Sequence, residues 1–148
     1  MPEARVDTIV RGGLVVTGNS AIETSLAIRD GRIAAIGPAE LLPSASHTID
    51  VAGKVVLPGL IDCHCHFRGW EDYALATRMA ASAGLTTIIP FGITNVAQGE
   101  SLPDAIKRHQ DEIARVALCD VAFHFQLGAD PKILTGIENA AELGVRSF

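Results

Sequence analysis

From Val55 onward, apolar segments of strand length alternate with segments of helical periodicity. The apolar segments span residues 55–62, 85–91, 121–127 and 145–148. The helical segments span residues 71–83, 101–116 and 132–143. Strands that alternate with helices form a parallel sheet with right-handed crossovers. Four strands and three helices make up half of a (β/α)8 barrel, which takes about 250 residues in full. We therefore predict an α/β chain whose residues 57–148 form the first, incomplete half of such a barrel.

A smaller doubly wound sheet is the alternative, although no glycine-rich phosphate loop follows the first strand.

Residues 1–56 have a different pattern, in which short apolar strands are separated by tight turns. The dipeptides Gly12-Gly13 and Asp30-Gly31 each lie between two such strands, and both are typical of two-residue hairpin turns. A further strand is predicted over residues 48–51. We expect a small antiparallel β layer that forms part of a β-sandwich domain, with the domain boundary between residues 56 and 57.

Composition argues against several classes of partner. The formal net charge of −5 provides no basic surface for nucleic acid. No apolar run approaches the roughly 20 residues that a membrane span needs, and the first residues lack the apolar core of a signal peptide. Three cysteines do not make a disulfide framework and suit a reducing compartment. We expect a cytoplasmic protein whose partners are neither nucleic acids nor membranes.

The segment from Asp62 to Arg68, at the end of the first predicted barrel strand, carries the strongest chemical signal. Because side chains on a strand alternate between faces, four polar side chains are predicted on one face: Asp62, His64, His66 and Arg68. The other face is predicted to carry Cys63, Cys65 and Phe67. Barrel enzymes place their active sites at the carboxyl ends of strands, where two imidazoles one residue apart can hold one metal ion. We therefore predict that His64 and His66 are metal ligands.

Two other interpretations of this segment are available. A Cys-x-Cys pair is found in zinc sites, but no second cysteine pair follows, so small buried hydrophobic side chains are the better interpretation of Cys63 and Cys65. An isolated His-x-His is also a weak signal by itself. Its position after an apolar strand, with a polar inward face, favours the metal-binding interpretation.

The residues from Val56 to His66 resemble the signature of the amidohydrolase superfamily, in which an apolar strand is followed by Pro-Gly and then Asp-x-His-x-His. The turn and strand over residues 30–37 resemble part of that superfamily's N-terminal β-sandwich. Residues 70–73, 77–81 and 84–87 are similar to the cyclic amidase branch, which holds hydantoinases, dihydropyrimidinases, allantoinases and dihydroorotases. The resemblance is to the N-terminal portion of these proteins.

This resemblance implies a hydrolase of cyclic amides that uses a hydroxide shared by two divalent metal ions, usually zinc. His64 and His66 match the pair that binds the more buried metal, and Asp62 is expected to support them without binding metal itself. A carboxylated lysine that bridges the metals is expected just after Phe148, and the proton-transfer aspartate is expected beyond it. No catalytic residue is therefore expected within this chain, which alone should be inactive. The implied substrate is a small cyclic amide or ureide, and the complete protein is expected to be a homo-oligomer, either a dimer or a tetramer.

The identity of the ring stays open. Arg68 completes a His-x-His-x-Arg pattern in which dihydroorotases use the arginine to hold the substrate carboxylate, and a structural salt bridge is the alternative role. The residues that follow depart from the dihydroorotase pattern, and the run from Trp70 to Tyr73 is more similar to an allantoinase. Dihydroorotase is therefore an alternative to a hydantoinase-like activity. A non-catalytic scaffold relative is a further alternative, although such relatives typically lose metal ligands that this chain keeps.

Three further histidines lie outside this motif. His124, between two phenylalanines, is predicted to face the barrel interior, as a core residue or as part of the substrate lining. His47 and His109 are predicted to be solvated.

Overall fold

The structure, a computed structural model, describes residues 5–67, 72–128, 131–134 and 136–148. It divides into two compact units, Met1–Pro58 and Gly59–Phe148. Within the described ranges, no helix is long and apolar enough to cross a membrane.

The first unit is a five-stranded sheet. Its strands are β1 (Val6–Val16), β2 (Ala21–Arg29), β3 (Arg32–Gly37), β4 (Ala45–Asp50) and β5 (Val55–Val56). The spatial order is β3-β2-β1-β4, with β5 also paired to β1. The pairs β1–β2 and β2–β3 are antiparallel, whereas β4 and β5 run parallel to β1. The prediction of a purely antiparallel layer is therefore wrong. Strand β2 pairs with one edge of β1, and β4 and β5 pair with the other edge while running in the same direction as β1.

The Asp30-Gly31 hairpin is confirmed. Both residues adopt the left-handed conformation, with φ of 51° at Asp30 and 70° at Gly31, and they join two antiparallel strands. A turn with positive φ at both central residues matches the right-handed twist of the strands on either side. The same reasoning fails at Gly12-Gly13, where the structure contains no hairpin.

Gly12-Gly13 forms a β-bulge in the middle of β1. The register of β1 against β2 shifts between Val10 and Gly13, and Gly12 has a φ of 73°. Positive φ serves a bulge as well as a turn, so the dipeptide alone does not distinguish the two. The turn that joins β1 to β2 lies further on, where the amide of Thr17 donates to the carbonyl of Ser20 over 2.8 Å.

The second unit alternates strands and helices. Its elements are β6 (Leu60–Cys65), α1 (Tyr73–Ser82), β7 (Leu85–Gly92), α2 (Leu102–Val116), β8 (Asp120–Val121), β9 (His124–Phe125), α3 (Pro131–Leu134) and α4 (Ile137–Glu142). Strands β6, β8 and β9 all pair with β7 in parallel. The predicted parallel, mixed α/β organisation is therefore present in this unit. Its main core combines the buried face of α2 with residues of later elements: Leu102, Ala105, Ile106, Phe125, Ile133, Ala140 and Val145.

The helix boundaries follow from the capping residues. Asp72 caps α1 by accepting a hydrogen bond from the amide of Leu75 over 2.8 Å. Ser101 caps α2 by accepting one from the amide of Asp104, as the sequence predicts. Gly84 follows α1 with a φ of 84°, and a left-handed residue at that position ends a helix without strain.

The last third of the unit departs from the prediction. The expected strand over residues 121–127 consists of the two short strands β8 and β9, and the expected third helix is divided into α3 and α4. Gly136 lies between α3 and α4, and an added Cβ there would come within 2.9 Å of Pro103 Cδ, so this residue packs closely against α2. Residues 145–148 are not a strand, although the amide of Phe125 donates to the carbonyl of Ser147 over 3.1 Å.

Candidate metal centre and adjoining cavity

Strand β6 carries a β-bulge just before its end. Asp62 lies opposite Ile88 of β7 and Cys65 lies opposite Pro90, so two residues of β6 face one residue of β7 between these pairs. Asp62 and Cys65 both line a cavity of about 250 Å³ beside α1, as do His66 and Phe67. Strict alternation of side chains between faces holds only along an unbroken ladder, so the bulge interrupts the alternation on which the sequence prediction relied.

His64 and His66 bring their Nε2 atoms to 3.3 Å from each other. Zinc binds imidazole nitrogen at about 2.0–2.1 Å, so two nitrogens on one tetrahedral ion lie about 3.3 Å apart. Both side chains are exposed. The spacing therefore fits a single ion held by both rings. Among the residues that the structure describes, no group of three or more His, Cys, Asp or Glu side chains is arranged to hold an ion, so this pair would need further ligands.

The ring of Phe91, near the end of β7, supports the two imidazoles. It stacks on His66 with a centroid distance of 4.6 Å and an interplanar angle of 4°. It meets His64 edge to face at 4.9 Å and lies 5.0 Å from the ring of His124. Phe91 lies at a strand end beside the motif, and sequence reasoning assigned it no part in the site. Only the parallel pairing of β6 with β7 brings it there.

The peptide group between Cys63 and His64 is held by two side chains. Its amide, that of His64, donates to Asp62 Oδ1 over 3.1 Å. Its carbonyl, that of Cys63, lies 3.2 Å from Nε2 of His124. The other ring nitrogen of His124 is hydrogen-bonded to the hydroxyl of Ser147. His124 thus connects β9 to the bulge of β6, a contact that the sequence did not predict.

A second cavity, of about 260 Å³, opens beside His66. Aromatic rings form one part of its wall, and polar side chains from α2, from the loop after β7 and from the residue after β9 form the other: Asn95, Arg108, Glu112 and Gln126. A flat ligand with hydrogen-bonding edges would find both apolar and polar partners there.

His109 and Tyr73 form a buried hydrogen-bonded pair in the wall of this cavity. The Tyr73 hydroxyl lies 2.9 Å from Nδ1 of His109, and Nε2 of His109 lies 3.1 Å from the carbonyl of Ile93. Burial lowers the pKa of His109 and raises that of the Tyr73 hydroxyl. The prediction that His109 is solvated is wrong. The signal was present in the sequence, since His109 shares its helical face with Ile106, which is fully buried.

The loop between β7 and α2 is fastened to α2 by an ion pair. Arg108 donates from Nε to Glu100 Oε1 over 2.7 Å and from Nη2 to Glu100 Oε2 over 3.0 Å. Its Nη2 also donates to the carbonyl of Ile93 over 3.0 Å, and Glu100 accepts the amide of Asn95. The guanidinium lowers the pKa of the Glu100 carboxyl and is itself held charged. Such a bidentate pair fixes the loop more firmly than a single contact would.

The remaining sequence predictions concern Arg68, His47 and the cysteines. Arg68 lies outside the described residues, as do Trp70 and Glu71, so the substrate-binding prediction for Arg68 stays a prediction. His47 is exposed, as predicted. The cysteines are free, and burial raises the pKa of the Cys65 and Cys119 thiols.

Comparison with known proteins gives a consistent set of relatives. The D-hydantoinase of Streptomyces coelicolor is 34% identical over 153 residues, which cover 95% of this chain and 32% of that protein. The allantoinase of Bacillus licheniformis is 34% identical over 119 residues, which cover 73% of this chain and 26% of that protein. No protein-family model matches the chain.

Solved structures agree with these relatives. A D-hydantoinase crystal structure superimposes with a TM-score of 0.76 at 34% identity, covering 91% of this chain and 30% of that one. The L-hydantoinase (dihydropyrimidinase) from Arthrobacter aurescens superimposes with a TM-score of 0.79 at 28% identity, covering 95% of this chain and 32% of that one. The chain therefore spans about a third of the length of the relatives that it matches.

Proposed function

This chain belongs to the cyclic amidase branch of the amidohydrolase superfamily, and from that premise we propose that the protein hydrolyses a carbon–nitrogen bond in a small cyclic amide or ureide. The relatives are named hydantoinases, dihydropyrimidinase and allantoinases, so hydantoin, dihydropyrimidine and allantoin rings are the substrates to test first. A ring of this kind also suits the cavity beside His66, which combines aromatic walls with amide and charged groups.

We propose that His64 and His66 hold a divalent metal ion, most simply zinc. The observation that carries this proposal is the 3.3 Å separation of their Nε2 atoms, which is the spacing of two nitrogens on one tetrahedral zinc ion. When bound, a pair of metal ions supplies a hydroxide nucleophile at neutral pH. A carboxylated lysine after Phe148 and a later aspartate would complete the site in this proposal. Asp62 would act by holding the backbone of His64 in place.

Around this site, the residues of the chain have separate tasks. Phe91 limits the rotation of both imidazoles by packing against their rings. The Tyr73–His109 pair and the Glu100–Arg108 pair fix the wall of the adjoining cavity from α2. Arg68 is proposed to contact the substrate. These tasks orient a ring beside the metal pair, which is the part of catalysis that depends on positioning.

We also propose a (β/α)8 barrel as the architecture around β6–β9, with residues 57–148 as its first half and residues 1–56 in a β-sandwich domain. Leu60 and Ile61 of β6 are 56% and 63% exposed, and they lie on a strand that pairs, within the described residues, only with β7. A further parallel strand would cover this apolar edge. A homo-oligomer is proposed from the resemblance to the cyclic amidase branch, and a cytoplasmic location is proposed from the sequence features given above.

The test is zinc content together with hydrolysis in the full-length protein. The His64→Ala and His66→Ala variants should lose zinc and the hydrolysis of every ring that the wild type accepts, because each removes one nitrogen of the pair. His47→Ala, at an exposed histidine of the first unit, is the matched control and should keep both properties.

The outcomes separate the alternatives. Full zinc occupancy in a His64→Ala/His66→Ala double variant would exclude these two ligands. A wild type that holds zinc but hydrolyses none of the hydantoin, dihydropyrimidine, allantoin and dihydroorotate rings would support the non-catalytic scaffold. Preference for dihydroorotate, lost on Arg68→Gln, would support the dihydroorotase alternative.

A further inference from the structure

The bulge of β6 creates a backbone requirement at the metal pair. Cys63 and His64 have no residue of their own opposite them in the β6–β7 ladder, because the register passes from Asp62 to Cys65 across a single residue of β7. A peptide group left out of a ladder needs other hydrogen-bond partners. Here both polar atoms of one peptide group find side chains: Asp62 accepts from its amide, and His124 contacts its carbonyl.

The contacts of His124 determine the state of its ring. A carbonyl oxygen only accepts hydrogen bonds, so the nitrogen 3.2 Å from the Cys63 carbonyl, Nε2, carries the proton. In the neutral ring, Nδ1 is then the acceptor for the Ser147 hydroxyl. Phe91 packs against the same ring at a centroid distance of 5.0 Å. Both nitrogens are therefore in use, and the ring is held from three sides.

Taken with the metal assignment in the proposed function, on which it rests, this geometry points to His124 as a positioning residue: we propose that it holds the Cys63–His64 peptide group in the orientation that keeps the two Nε2 atoms of His64 and His66 at metal-binding distance. A rotation of that peptide group would swing the His64 side chain away from His66. Ser147 acts through His124, because its hydroxyl fixes the tautomer and the orientation of that ring. His124 does not bind the ion itself.

The experiment measures zinc affinity in the full-length protein by competition with a chromophoric chelator, and urea unfolding of the metal-free form. His124→Phe keeps the ring against Phe91 but removes the donor to Cys63, and it should weaken zinc binding about tenfold, the lower end of the effect of removing a group that orients a metal ligand. His124→Gln can place an amide donor near the position of Nε2 and should recover most of that loss. His47→Phe makes the matched change at an exposed histidine and should leave zinc affinity unchanged.

Ser147 gives an independent pair of variants. Ser147→Ala removes the donor to Nδ1 and should weaken zinc binding several-fold, whereas Ser147→Thr keeps the hydroxyl and should bind zinc as the wild type does. If His124→Phe does not fold, these two Ser147 variants still test the positioning role of His124. Unchanged zinc affinity in Ser147→Ala and in every folded His124 variant would overturn the inference, including the case in which only the metal-free stability falls.

The two proposals fail in different ways. If the wild type binds zinc through His64 and His66 and His124→Phe binds it equally tightly, only the positioning role is lost. If the His64→Ala/His66→Ala double variant keeps its zinc, the metal assignment fails, and the positioning role fails with it.

Discussion

At the scale of single residues, His109 shows how a polar side chain is accommodated in the core of the second unit. It is only 8% exposed, yet each ring nitrogen has a hydrogen-bond partner, Tyr73 on one side and Ile93 on the other. When both ring nitrogens are hydrogen-bonded, burying a neutral imidazole reduces the stability of the fold only slightly. Its protonation would place a charge in an apolar site, which is why its pKa is lowered.

This lowered pKa makes stability depend on pH. The unfolded chain takes up the proton near the ordinary value of 6.5, but the folded chain resists it. The contribution of His109 is therefore complete above about pH 6.5 and is lost as the pH falls through its lower folded-state pKa. We expect the free energy of urea unfolding of the full-length protein to decrease from pH 7.5 to pH 5.0. The decrease should be smaller in His109→Gln.

His47→Gln is the matched control, since His47 is exposed, and its pH dependence should equal that of the wild type. Equal slopes in wild type and His109→Gln would contradict the assignment. The Glu100–Arg108 pair contributes to the free energy of unfolding over a different pH range. The pKa of Glu100 is lowered from 4.5, so the stabilisation by this pair is lost only at more acidic pH.

At the scale of elements, the glycine bulge of β1 is a point of close packing. A Cβ at Gly13 would lie 2.8 Å from Val56 Cγ2 and 2.9 Å from Val51 Cγ2, which is far inside van der Waals contact. Both valines belong to the segment that returns along β1. The dipeptide Gly12-Gly13 is therefore required both by the bulge and by the approach of this segment.

Gly13→Ala should lower the free energy of unfolding by about 1–3 kcal/mol, since an added methyl group forces the valines or the backbone to move. Gly18→Ala is the matched control, because an added Cβ there meets nothing within 4 Å and the backbone is not left-handed. It should change stability by less than about 0.5 kcal/mol. Equal values for both variants, measured by urea unfolding, would show that the packing at Gly13 is not tight.

The elements also show what local sequence can predict. The Asp30-Gly31 turn and the cap at Ser101 depend on the conformations of a few neighbouring residues, and both were predicted correctly. The bulges of β1 and β6 depend on which strand lies alongside, and neither was predicted. The contacts of Phe91 with His66 and of His124 with Cys63 were missed for the same reason, because they arise from strands that pair across distant parts of the sequence. The proximity of His64 and His66 was predicted because the two residues are separated by a single position at the end of β6.

At the scale of the whole molecule, the second unit exposes apolar side chains on β6 and α1. Leu60, Ile61 and Met79 are each more than half exposed. An exposed apolar strand edge promotes association between chains. We expect residues 1–148, expressed alone, to self-associate at micromolar concentration and to hydrolyse none of the proposed substrates.

Ile61→Lys should reduce this self-association, measured by light scattering, because a charge on an exposed strand opposes edge-to-edge pairing. Leu41→Lys introduces the same charge at a side chain that is 77% exposed and lies outside the strands, so it controls for net charge. Equal scattering from both variants would show that the β6 edge is not the site of association.

The bulge in β6 has an evolutionary consequence as well. Successive side chains of a strand point to opposite faces, so an insertion or deletion of one residue normally exchanges its inward-facing and outward-facing residues. In β6, the irregularity between Asp62 and Cys65 absorbs one extra residue ahead of His66. A residue gained or lost before the bulge can therefore be accommodated there without changing the face to which His66 points, so the apolar start of β6 and the residues that follow the bulge can change independently.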